Sequence, residues 1–200
     1  MMVDDLLTFV DERARHRCLR PAATRSEITD AADSMGVVFP EPLTRLYLEA
    51  DGETEWLYEN DQTPSCLFCD FEFLSLEGMV RTHSHWLDVR TIELDPDYES
   101  EMESRPQEMV RESIFRPGWI PFGGSSSSAY LAIDTDPGPK GTAGQVVLFG
   151  GILTPYRLCT ASDLEAFLAR TAAYLSDFVA RSEGPDESYL VHIENSLGVR

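Results

Sequence analysis

Apolar positions recur at helical spacing in "TRSEITDAADSMGVVFP", where Ile28, Ala31, Ala32 and Met35 line one face. Thr24 and Glu27 stand in the capping-box relation at its start, and Gly36 is a natural C-terminal stop. Pro40 and Pro42 break the chain before a second helix, "PLTRLYLEADG". That helix buries Leu43, Leu46, Tyr47 and Ala50 and ends at the turn pair Asp51-Gly52. Helical spacing returns in "SLEGMVRTHSHWLDVR", through Leu76, Met79, Val80, His83 and either Trp86 or Leu87, with Ser75 as the cap. The last helix, "SDLEAFLARTAAYLSDFVARS", has Ser162 and Glu165 as a capping box. Its apolar stripe runs through Leu164, Phe167, Leu168, Leu175, Phe178 and Val179 and is broad enough to lie on a sheet. A short helix is also expected near the start, with Leu6, Leu7, Val10 and Ala14 on one side.

Between these lie strand-like runs. "EWLY" and "LFCDFEFL" are aromatic and branched; "WIPF", "AYLAID" and "GQVVLFG" carry the strongest strand signals; "SYLVHI" is a further candidate near the end. No repeat or linker divides the chain. The order of helices, strands, helix, strands and helix predicts one α+β domain over residues 1–200, with a tail from about 184.

One stretch departs from both periods. In "ELDPDYESEMESRPQEMVRE", residues 93–112, the carboxylates Glu93, Asp95, Asp97, Glu99, Glu101 and Glu103 repel one another and apolar content is low. It reads as a solvated insertion, or as an arm facing a partner.

Charge sharpens the second possibility. The 200 residues hold 35 acidic against 16 basic side chains, a formal net charge of -19. Such a surface repels nucleic acid and anionic membrane, since phosphate binding needs Lys and Arg. It suits solubility, and it also attracts a basic partner and speeds encounter with it. No run approaches the ~20 apolar residues of a membrane span, and the acidic start is unlike a signal peptide. The expected location is the cytoplasm. Cys18, Cys66, Cys69 and Cys159 are accordingly expected as reduced thiols. The "CLFC" pair lies in a strand-like run without further ligands at zinc spacing, so Cys66 and Cys69 read as structural.

Candidate chemistry is sparse, and neither a cofactor nor a metal is expected. Asp134 and Asp136 are two apart, which on a strand puts both carboxylates on one face. A catalytic or metal site would need further ligands. The competing reading is that both accept backbone N–H groups of the following loop. That loop, "DPGPKGTAG", lacks G-x-x-x-x-G-K-[ST] and joins two strands, so its glycines serve the backbone path rather than a phosphate. His83 and His85, two apart on a helix, point to different sides. The serines Ser125 to Ser128 read as a flexible turn, and Trp119 as a buried sheet anchor.

Taken in order, these motifs resemble the SMI1/KNR4 family of the SUKH superfamily. The matching pieces are "EITDAADSMGVVFPEPLTRLYLEADG", with Gly36, Pro40, Asp51 and Gly52; "GWIPFGG", with Trp119, Pro121 and Phe122; "AIDTDPGPKGTAGQVV"; and "SDLEAFL". The resemblance covers residues 24–180. The four serines of the turn replace an acidic residue common in the family, and the acidic segment after Glu93 is long. The resemblance implies an α+β fold with a mixed, mostly antiparallel sheet flanked by helices. It also implies binding rather than catalysis: bacterial members include immunity proteins that neutralise a polymorphic toxin, and fungal members are regulatory partners. The partner expected here is a basic toxin domain. Contact is expected through the carboxylates of 93–103 together with Asp134 and Asp136.

Overall fold

Uniformly apolar strands need cover on both faces, and that is how this sheet sits. A computed structural model describes residues 19–54, 67, 68, 71–91, 102–125, 128–150 and 156–180, with side chains through 174. Its elements are α1 (Arg25–Met35), α2 (Glu41–Glu49), β1 (Glu72–Phe73), α3 (Leu76–Thr91), β2 (Glu103–Arg105), β3 (Trp119–Gly124), β4 (Ala129–Asp134), β5 (Gln145–Gly150), β6 (Tyr156–Ala161) and α4 (Leu164–Ala180). The strands form one six-stranded sheet in the order β1-β3-β4-β5-β6-β2. All neighbours are antiparallel except β2 and β6, so the sheet is mixed. The expected α+β architecture is the observed one.

Alternation along the central strands divides two cores. Ile120, Phe122, Leu131, Ile133, Val146 and Leu148 face the larger one, which α1, α2, α4 and the first turns of α3 complete. Trp119, Ala132, Val147, Phe149 and Cys159 face the other. Trp86, Leu87 and Val89 at the far end of α3 close it, together with Met102, Val110, Ile114 and Phe115. Helix α3 therefore serves both faces.

The helices expected from Thr24 to Gly36, from Leu43 and from Ser75 are present. Thr24 and Glu27 form the capping box of α1, and Gly36 ends that helix at φ 66°. Ser75 Oγ accepts from the Gly78 N–H at 3.1 Å. Leu43, Leu46, Tyr47 and Ala50 are buried. The start of α4 is a correction. Asp163, not Ser162, makes the cap: its Oδ1 accepts from the Ala166 N–H at 2.7 Å, and the Ser162 hydroxyl donates to its Oδ2. Glu165 turns instead to Arg45 at 3.2 Å. A carboxylate one residue closer to the free N–H groups displaces the hydroxyl.

Two more readings change. The run "LFCDFEFL" is not one strand. Phe68 and Phe71 bridge to each other, and among the run's described residues Glu72–Phe73 is the part that joins the sheet. Phe68 packs against Phe73, Phe122 and Phe167, with ring centroids 5.4–5.8 Å apart. The segment 93–112 is not a solvated insertion throughout. From Met102 onward it belongs to the fold: β2 pairs with β6, Met102 and Val110 are core residues, and the Ser104 hydroxyl accepts from the Val110 N–H at 2.9 Å. The two-residue alternation in "MESR" sends Met102 and Ser104 inward and Glu103 outward.

The expected N-terminal helix, "EWLY", Cys18, Cys66, Cys69, "SYLVHI" and the side chains of Leu175, Phe178 and Val179 lie outside the described residues.

Candidate functional site

The residue pair that offered most chemistry is Asp134 and Asp136. Asp134 ends β4 and is fully buried, while Asp136 lies beyond the strand in the turn. The two-residue spacing therefore does not place them side by side as a paired site, because the strand period stops between them. Asp134 Oδ1 accepts from the Asp136 N–H at 2.9 Å and its Oδ2 from Gln145 Nε2 at 2.9 Å. Burial raises its pKa, against the lowering effect of these donors. This is the predicted backbone-accepting role for Asp134. Asp136 departs from it: its carboxylate takes Arg116 on Oδ2 and Arg111 on Oδ1, the latter at 3.0 Å. Arg116, then Arg111, hold this carboxyl below the usual range.

Around this corner the loop 135–144 is pressed onto residues 108 and 109. The Gly138 N–H donates to the Met109 carbonyl and the Lys140 N–H to that of Glu108, both at 3.0 Å. A Cβ on Gly138 would stand 2.3 Å from the Glu108 oxygen, and one on Gly141 2.1 Å from the Met109 oxygen. Glycine is required there for close backbone approach, as the loop reading expected. Gln145 finishes the clasp through Met109 at 2.8 Å. The arrangement ties the segment after β2 to the sheet. Among the described residues no group of three His, Cys, Asp or Glu gathers as metal ligands.

We therefore expect Asp136→Asn to lower stability by less than about 1 kcal/mol, since all three partners are partly exposed. Adding Mg²⁺ or Mn²⁺ should leave the melting temperature of the wild-type protein unchanged. A cation-dependent rise abolished in Asp136→Asn would mark a metal site instead.

Other reactive groups are likewise engaged. Cys159 is buried and its thiol is pushed up to about 11, chiefly by burial, which keeps it protonated. His83 is buried with Nε2 2.9 Å from the Pro117 carbonyl, while His85 is exposed, so the two do point apart. Of the acidic run, Glu103 is exposed on β2 beside Arg105 at 2.9 Å; Glu93, Asp95, Asp97, Glu99 and Glu101 lie outside the described residues.

Two polar groups escaped the sequence reading. Arg157, buried in β6, donates to the carbonyls of Ser113 and Ile114 at 2.8 and 3.3 Å. Glu53, 4% exposed, accepts from the N–H groups of Leu67 at 2.7 Å and Phe73 at 2.6 Å. Burial pushes its carboxyl up to about 8, the two donors acting the other way. Only the position of Glu53 directly after the Asp51-Gly52 turn hinted at a structural role. A surface feature was missed as well: a groove of about 540 Å³ between α1 and α3, with Ala31, Leu76 and Val80 in its lining. Its residues come from separate helices whose polar positions look like ordinary solvated faces.

A family model described as SMI1 / KNR4 family (SUKH-1) matches residues 22–170. The "Cell wall assembly regulator SMI1" of Saccharomyces cerevisiae (strain ATCC 204508 / S288c) is 24% identical over 159 residues, covering 66% of this chain. The alignment takes in 31% of that relative, so the chain corresponds to about a third of its length. By the extent of the family match, and by the ordered Gly36, Pro40, Asp51-Gly52, Trp119 and Asp134 features within it, this chain belongs to the SMI1/KNR4 family (SUKH-1).

Proposed function

We propose that this chain is a non-catalytic protein-binding domain acting in the cytoplasm as an immunity protein: it binds and neutralises a basic toxin domain. The net charge of -19 carries the reading. A nuclease-like toxin needs a basic cleft, and an acidic inhibitor can occupy such a cleft and steer itself there. The bonding of the reactive groups supports it, because buried Asp134, His83 and Cys159 and partly exposed Asp136 are each engaged within the fold. The acidic run Glu93, Asp95, Asp97, Glu99, Glu101 and Glu103 is the proposed contact arm. Asp134, being buried, contributes to no surface, and Asp136 reaches a partner only by sharing its arginines.

A second reading, a regulatory scaffold without a toxin, draws on the yeast relative described as a cell wall assembly regulator. The two separate on one experiment. The product of the gene adjacent to this one is expressed alone and together with the chain. Growth arrest by that product, relieved by the chain through a complex that co-purifies, is the expected outcome. Absence of toxicity or of a complex would favour the scaffold. Replacing Glu99, Glu101 and Glu103 together by Gln should slow association about tenfold if the arm faces the partner. An unchanged rate with an unchanged melting temperature would show the arm to be merely solvated.

A further inference from the structure

The groove between α1 and α3 has no duty in the fold described so far. Its floor is apolar: Ala31 and Leu76 are nearly buried, and Val80 is half-buried. Four carboxylates border it, from Glu27, Asp30, Asp51 and Glu77, against the single guanidinium of Arg81. Glu27 is held in the α1 cap and Asp51 accepts from the Leu76 N–H at 2.8 Å, so those two have structural work. Asp30 and Glu77 are exposed, and no ion pair among the described residues involves them.

We propose that this groove is a docking site for a basic amphipathic helix of a protein partner. Lining positions on α1 span 27–34 and on α3 span 76–84. Each stripe is about two turns, or roughly 12 Å, long. Two packed helices leave a furrow between their side-chain ridges, and a third helix can lie in it. An occupant with apolar residues at i and i+4 would meet Ala31 and Val80, and Lys or Arg on its flanks would meet Asp30 and Glu77. The sign of the rim rejects an acidic helix and nucleic acid alike. Arg81 lowers the attraction, and its removal should raise it. The proposal rests on the reading of the chain as a protein-binding domain but does not need the partner to be a toxin.

The test uses the full chain and a synthetic probe, an amphipathic helical peptide with Leu at i, i+3, i+4 and i+7 and Lys on its flanks. A scrambled peptide of the same composition and a Leu/Glu counterpart serve as controls. Amide chemical shifts on titration should move along residues 27–34 and 76–84. Asp30→Asn with Glu77→Gln should weaken the probe about fivefold, and Arg81→Gln should strengthen it, all at unchanged melting temperature. Shift changes spread over the acidic surface, equal binding of the scrambled peptide, or indifference to the double substitution would overturn the groove as a site. Failure of the neighbouring-gene complex with intact probe binding would instead remove the immunity reading and leave the groove standing.

Discussion

Replacing Glu53 by Ala lowers unfolding free energy by about 3–5 kcal/mol. Two buried N–H groups, of Leu67 and Phe73, lose the Glu53 oxygens that accept from them, and each orphaned donor costs about 1–3 kcal/mol. The same carboxyl ties the turn after α2 to Leu67 and Phe73, both of which lie in the core with Phe68 and Phe71. Glu53→Gln keeps one acceptor oxygen in place and loses less. The pH dependence has a definite sign. The folded-state pKa, about 8, lies above the ordinary value of 4.5, so the folded protein holds the proton more tightly. Stability from this group is full below the unfolded value and declines as pH rises from about 4.5 to 8. Denaturant melts across that range should show this decline in wild type and a smaller one in Glu53→Gln, where buried Asp134 still contributes. A wild-type profile rising with pH, after correction by the Gln variant, would contradict the burial argument.

Trp119→Ala should cost about 3–5 kcal/mol. Trp119 is fully buried at the start of β3, and its ring packs on Phe149 at 5.2 Å and Phe115 at 5.8 Å. Phe115 lies in the segment that covers this face, and Phe149 on β5, the strand beyond β4, on the same face of the sheet. Truncation opens a cavity between sheet and cover that neither ring can fill without moving the other. Equilibrium unfolding measures the loss directly. A cost under about 1 kcal/mol would mean that the second face of the sheet is not a packed core.

Much of this fold was legible because local and long-range signals agreed. Thr24, Glu27 and Gly36 bracket α1 by chemistry confined to one helix, and "WIPF", "AYLAID" and "GQVVLFG" are apolar on both faces because both are covered. Asp163 took the α4 cap because two acceptors competed one residue apart, and spacing alone does not rank them. Residues 102–105 looked like the end of an acidic arm because charge dominates composition, while burial there depends on Met102 and Ser104 meeting β6, about fifty residues away. Asp134 and Asp136 were separated by the end of a strand, a boundary that sequence places only to within a few residues. Arg157 and Glu53 satisfy backbone groups from other segments, so no local pattern marks them. The α1–α3 groove was invisible for the same reason: it exists only where two helices meet.

The central claim is that an acidic binding surface recruits a basic protein partner. It is tested most directly by the association rate constant between this chain and the product of its neighbouring gene, measured by stopped flow from low to high NaCl. Charges exposed at the surface act over about 8–10 Å at physiological salt, so added salt should slow association about tenfold or more while changing dissociation little. An association rate that stays flat across the salt range, or no complex at any salt, would contradict the account.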